Sequence, residues 1–219
     1  MVRIAIVDDS EVFYEGLVLN LQRQAHIEVL PPIFSYEDAL ALLPQFAMDL
    51  VLVDMRLPYH RPQPDQVFRH ATAAWGLRLL RYIAEQWPRI LTIAMSSVVE
   101  DGLVIQAYLA GARGFLDKNS HASLFVQVVE SVLQGEFAFS PYHWRLIEER
   151  CALYLTPREE QVLELLCEGL TNREIAKRLG IQEGTVRKYV ESLRAKFHAR
   201  TRGQVCAKAR RLGFLYVIE

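Results

Sequence analysis

The 219-residue chain lacks any apolar run approaching membrane-spanning length, and it has only three cysteines, Cys151, Cys167 and Cys206. None of them falls in a Cys-x-x-Cys pair or at a Cys/His spacing that suits zinc. Neither a disulfide framework nor a zinc site is expected, and the three read as ordinary reduced thiols. The apolar start from Val2 to Val7 ends at Asp8-Asp9, too short for a signal peptide. Internal repeats and low-complexity tracts are absent too. The expectation is a soluble, cytoplasmic protein with ample apolar content for real cores.

Net charge is also nearly absent, at −1. That balance hides an asymmetry. Residues 154–219 hold 13 Lys+Arg against 8 Asp+Glu, while the remainder holds 12 against 18. An acidic front and a basic back suggest that only the back meets a polyanion.

What is present alternates. Apolar runs at Ile4–Val7, Ile27–Leu30, Leu50–Val53, Ile90–Met95 and Gly114–Leu116 read as strands. Amphipathic stretches at Ser10–Gln22, Ser35–Leu43, Gly76–Trp87, Glu100–Ala110 and Ser120–Gln134 read as helices. Five strand–helix pairs with short joins predict an α/β fold, a doubly wound parallel sheet covered on both faces. After Gly135 comes a connector with a short helix from Pro141. From Thr156 onward the pattern is helical. The chain thus divides into a domain at 1–134, a linker at 135–152 and a small all-α domain at 153–219.

Polar residues stand at the strand ends. Asp8 and Asp9 close the first strand, Asp54 the third and Ser96 the fourth, and Lys118 follows the fifth. With strand order 2-1-3-4-5, the first and third strands are neighbours at the topological switch point, so three carboxylates converge in one crevice. Like charges so close call for a cation, and hard oxygen ligands suit Mg²⁺ (or Mn²⁺) completed by phosphate. Lys118 and Ser96 would hold phosphoryl oxygens, and Asp54 is the natural nucleophile for an acyl phosphate.

The motifs IVDDS, LVDMRLP, AMSS and GARGFLDK, in that order, resemble the flavodoxin-like receiver domain of two-component response regulators. The resemblance implies that Asp54 takes phosphate from a sensor histidine kinase, and that Asp8, Asp9, Asp54 and the Arg56 backbone carbonyl bind Mg²⁺. It makes Ser96 and Phe115 the switch positions, with serine and phenylalanine where threonine and tyrosine are commoner. Between the positions of Pro58 and Gly76 a typical receiver has about three residues, whereas this chain has seventeen, an insertion at 59–75. Pro62 and Pro64 impose extended backbone there, and Asp65 would cap a helix carrying Val67, Phe68, Ala71, Ala74 and Trp75. Its expected role is a cover over the pocket or an added docking surface, against a loop the fold merely tolerates. His60, His70 and Asp65 include metal-binding residue types, but nothing fixes their spacing.

In the back half, Thr156-Pro157-Arg158-Glu159 and Thr171-Asn172-Arg173-Glu174 are helix starts with capping-box spacing. Gly180 makes a tight turn into a third helix from about Gln182. Two short helices joined at a glycine, the second with exposed basic residues, predict a helix-turn-helix over Thr171 to Val190. Arg187, Lys188 and Arg194 would face DNA. Residues from Leu155 to about Leu212 resemble the LuxR-type DNA-binding domain, which with a receiver makes the NarL/FixJ subfamily. That resemblance implies homodimerisation on double-stranded promoter DNA through a last helix containing Gln204, Lys208 and Leu212. Tyr189, Gln182 and Glu191 depart from the usual histidine, serine or threonine, and lysine. The chain is expected to be a phosphorylation-controlled transcription regulator and not an enzyme beyond self-dephosphorylation. Two alternatives keep the same residues: a receiver whose insertion replaces phosphorylation by partner binding, and a Mg²⁺-dependent phosphatase, for which no substrate pocket or second general acid is evident.

Overall fold

The structure is a computed structural model that describes residues 1–61 and 73–215. It divides into two compact units, the first running from Met1 to His143 and the second starting at Trp144.

Parallel strands β1 (Val2–Val7), β2 (Ile27–Val29), β3 (Leu50–Asp54), β4 (Leu91–Ser96) and β5 (Gly114–Asp117) form one sheet in the order β2-β1-β3-β4-β5. Helices α1 (Glu11–Leu21), α2 (Tyr36–Leu42), α3 (Ala73–Gln86) and α4 (Asp101–Leu109) make the crossovers, and α5 (Ala122–Leu133) follows the last strand. The central strands are apolar along their length because both sheet faces are covered. Ile4, Ile6, Leu50, Leu52, Ile93 and Met95 face α1 and α5, where Leu17, Leu21, Phe125 and Val129 complete one core. Each such fully buried side chain contributes roughly 1.5–3 kcal/mol of transfer free energy. Register is what matters for the site. Val7 pairs with Val53, and Asp54 with Met95, so the residues that end β1, β3 and β4 lie side by side.

The predicted Asp65-capped helix lies outside the described residues, as do Pro62, Pro64, Val67, Phe68, His70 and Ala71. The two flanks of the insertion are described. Tyr59 and Trp75 touch, with ring centroids 4.7 Å apart, and Tyr36 packs on both. The Tyr36 and Glu37 amides donate to the carbonyls of Pro58 and Tyr59, Glu37 pairs with His60, and Arg61 pairs with Glu11 while lying over the Phe34 ring. Chain departure and chain return are therefore pinned to each other and to the start of α2. Immediately after the return, Gly76 presses on the Asp54 loop. A Cβ there would come within 2.5 Å of the Asp54 carbonyl oxygen, so only glycine lets α3 dock this closely.

Beyond α5 the connector makes its own contacts. Ala138 pairs with the edge of β5, donating to the Arg113 carbonyl and accepting from the Phe115 amide. Helix α6 (Pro141–Ala152) follows, and in its first turn Tyr142 donates to the Asp101 carboxylate at 2.7 Å while His143 approaches the other Asp101 oxygen at 3.4 Å.

The second unit contains α7 (Pro157–Cys167), α8 (Asn172–Leu179), α9 (Glu183–Lys196) and α10 (Arg202–Arg211) around Val162, Leu166, Ile175, Val186, Val190, Leu193, Phe197 and Val205. Thr156, Thr171 and Thr201 each begin a helix with a complete capping box. One sequence expectation is corrected. Cys167 and Cys206 are joined in a disulfide, with Cα atoms 5.4 Å apart across 39 residues. The pairing comes from α10 packing on the end of α7, which local cysteine spacing does not register.

Candidate functional site

The carboxylates that close β1 and β3 meet Lys118 from the β5 side. Ligand oxygens of Asp8, Asp9 and Asp54 all lie within 4.8 Å of one another. Lys118 Nζ sits 2.7 Å from Asp8 and 2.7 Å from Asp54, over the Phe13 ring. The second oxygen of Asp54 accepts from the Arg56 amide, and that of Asp8 from the Ser10 amide, so the backbone aims both carboxylates. Asp8 and Asp54 are buried, Asp9 is half-buried and the Arg56 side chain is exposed.

The electrostatics are unbalanced. Burial, opposed by Lys118 and assisted by Asp54, pushes Asp8 up to about 6. Burial and then Asp54 raise Asp9 as well. At Lys118 burial works against the charge, but Asp54 and Asp8 outweigh it and hold its pKa above the ordinary value. One ammonium thus serves three carboxylates. That surplus of buried negative charge, offered by hard oxygen donors, fits a divalent cation.

Ser96 is buried at the end of β4, with its hydroxyl donating to the Val98 carbonyl and accepting the Val98 amide. It is turned into its own loop rather than toward Asp54. Phe115 is half-buried, and its amide holds Ala138 of the connector. The five polar residues expected at strand ends all lie at this end of the sheet, and Phe115 lies on the same edge strand as Lys118's approach.

In the second unit, α8 and α9 meet at Gly180, whose φ of +64° is the left-handed conformation that ends α8. Arg187 and Lys188 are exposed on α9, with Arg187 loosely paired to Glu183 at 3.8 Å. Lys177 and Arg178 are exposed at the end of α8. Arg194 is exposed but donates to the Arg200 carbonyl, which ties it to the turn after α9. Gln182 begins α9 without a side-chain cap, a consequence of the residue that stands there. In α10, Gln204 is exposed and Lys208 half-buried, whereas Leu212, just past its end, is 1% exposed. Leu212 therefore belongs to the domain's own core and not to an outer pairing face.

Two residues escaped sequence reasoning. Gly76 was read only as a helix start, though an isolated glycine in a helical pattern is itself a signal of close packing. Glu159 was read as a cap. Its carboxylate also accepts from Ser192 at 2.7 Å and Lys196 at 2.7 Å, fastening α7 to α9. Burial opposes its charge, but the bonds from Lys196, Ser192 and Thr156 prevail and lower it to about 2.

Among the described residues no helix is long and apolar enough to cross a membrane. Residues 4–130 match the family described as response regulator receiver domain, and residues 153–209 match the bacterial regulatory proteins of the luxR family. The DNA-binding transcriptional activator DevR/DosR of Mycobacterium tuberculosis is 29% identical, over 97% of this chain and 95% of that protein. The transcriptional regulatory protein LnrK of Bacillus subtilis is 27% identical, over 97% of this chain and 98% of that one. A structure of the RcsB response regulator of Salmonella typhimurium superposes with a TM-score of 0.68 at 18% identity, covering 94% of this chain and 98% of that one. RcsB bound to promoter P1flhDC with the phosphomimetic BeF3− gives 0.65 at 18% identity, over 96% and 98%. At that identity the two RcsB likenesses bear on the fold alone.

Proposed function

Because the chain belongs to the response regulator receiver family and carries a luxR-type regulatory domain behind the receiver, we propose that Asp54 is its phosphoryl acceptor and that phosphorylation controls promoter binding. The observation that carries this reading is the crossing of Asp8, Asp9, Asp54 and Lys118 at one strand-end crevice. Asp54 is the carboxylate whose orientation the Arg56 amide fixes. The oxygen it now shares with Lys118 attacks the phosphorus of a phosphohistidine on a sensor kinase, the imidazole leaves, and an acyl phosphate remains. Lys118 then holds a phosphoryl oxygen in place of its ion pair with Asp54. Asp8, Asp9, Asp54 and the Arg56 carbonyl would hold Mg²⁺ or Mn²⁺, which supplies neutralising charge to the incoming oxygens.

Ser96 has a route to act as the switch. Leaving the Val98 loop, its hydroxyl donates to the phosphoryl group, and Phe115 moves behind it. The shift works because the phosphoryl group bonds Ser96 in only one of the two arrangements. Receiver residues 1–134, linker 135–152 and the effector from 153 are the working divisions. Arg187 and Lys188 are the residues of α9 best exposed for base edges, and Arg194 for the phosphate backbone, with α10 pairing two copies on duplex DNA.

Incubation with a small phosphodonor and Mg²⁺ followed by peptide mass spectrometry tests the acceptor. About 80 Da should appear on the peptide containing Asp54 and be missing from Asp54→Asn. Labelling of Asp54→Asn at the wild-type level would overturn the assignment.

A further inference from the structure

Cys167 closes α7 and is half-buried, while Cys206 lies in α10 and is 8% exposed. Their Cα separation of 5.4 Å is the common one for a disulfide, so the thiol and disulfide forms need no different backbone. Nor does α10 depend on the bond for its seat. Val205, Ala209 and Leu212 are buried in the same domain, Arg202 donates to Asn172 and to the Leu170 carbonyl, and Arg210 donates to the Cys167 carbonyl itself. The reduced domain therefore keeps the two sulfurs together.

The surroundings favour reaction. Arg210 brings a cation to the Cys167 backbone, while Lys208 donates to the His198 carbonyl and Arg211 pairs with Glu149. A cation close to a cysteine promotes the thiolate, the reactive form, and Arg210 is the one placed beside Cys167. Cys167 is the more accessible of the two, and Cys206 waits behind it. The remaining cysteine, Cys151, is exposed and unbonded.

We propose that Cys167 and Cys206 are a reversible redox pair, oxidised by low-molecular-weight disulfides, whose closure locks the helix-turn-helix inside a covalent ring. The Cys167 thiolate attacks one sulfur of the small disulfide and expels the other as a thiolate. The Cys206 thiolate then attacks Cys167 sulfur and expels the second. The protein gives up two protons and two electrons, and the small disulfide becomes two thiols. In a reducing compartment such a bond is transient, which suits a sensor better than a scaffold. What the ring encloses decides the consequence. Residues between 167 and 206 include all of α8 and α9, the two helices of the DNA-reading unit. Closure removes open conformations of that segment and leaves the folded one in place.

The test uses the full chain, reduced and then equilibrated across ratios of glutathione to glutathione disulfide. Oxidation should remove about 2 Da, and a non-reduced peptide map should join Cys167 to Cys206. The melting midpoint of the second unit should rise by about 10 °C or more. Amide exchange in α8 and α9 should slow at least tenfold, and dithiothreitol should reverse both changes. Cys151→Ser should behave like wild type, and Cys167→Ala, at the half-buried end, should lose the response. Absence of the bond at every ratio, or a bond that leaves melting and exchange unmoved, overturns the proposal. None of these readouts requires phosphorylation of Asp54 or a known promoter, so failure here is distinguishable from failure of the proposed function.

Discussion

A buried carboxylate driven up to about 6, as Asp8 is, costs the fold stability whenever it is charged. The folded state holds this proton more tightly than the unfolded chain does, whose ordinary value is 3.8. Stability from this group is therefore fully present below about pH 4 and is lost as pH rises through 6, a loss on the order of 3 kcal/mol. In EDTA the receiver transition should melt higher at pH 5 than at pH 7.5, and Mg²⁺ should restore stability at the higher pH. Asp8→Asn should flatten that difference, as calorimetry at the two pH values would show. An unchanged slope in Asp8→Asn would assign the effect elsewhere. Asp8 could be found in the sequence because strand ends are visible as breaks in apolar runs, and the same holds for Asp9, Asp54, Ser96 and Lys118. Glu159 was half visible. Its cap to Thr156 is three residues away, but its bonds to Ser192 and Lys196 span 33 and 37 residues and leave no local pattern.

Helix and strand ends were legible for a related reason: capping residues and glycine turns act within four residues of the end they mark. Cys167–Cys206 and the Ala138 bridge were not, because each depends on which surfaces the finished domain brings together. The insertion shows both sides of this. Its proline-rich composition announced an excursion, yet nothing local announced that Tyr59 and Trp75 would close on each other, or that α3 would still seat on the Asp54 loop. That seating rests on Gly76. In Gly76→Ala the added carbon meets backbone, not a movable side chain, so helix or loop must shift. The expected loss is roughly 1–3 kcal/mol of receiver stability, with Asp54 labelling by a small phosphodonor slowed at least tenfold. Labelling at the wild-type rate would mean that the loop absorbs the methyl group.

At the scale of the whole molecule, charge and covalency are distributed by unit: the acidic pocket belongs to the first, the basic helices and the disulfide to the second. The alternation that predicts a doubly wound sheet, and the shift to helix after Thr156, make the two fold types readable in the sequence, whereas the units part at His143 and Trp144, inside the stretch read as linker. The connector's contribution lay beyond such patterns, since a single bridging residue has no periodicity. That residue has a consequence for solubility. β5 is the last strand of the sheet, and an uncovered last strand is a template on which other chains polymerise. Ala138 occupies the Phe115 amide and the Arg113 carbonyl of that edge. A fragment ending at Gln134 would present those groups bare, while one ending at His143 would keep them paired. Light scattering at matched concentration should find the shorter fragment aggregating and the longer one monodisperse. The connector thus covers backbone groups of the sheet's edge that would otherwise stand open to a further strand.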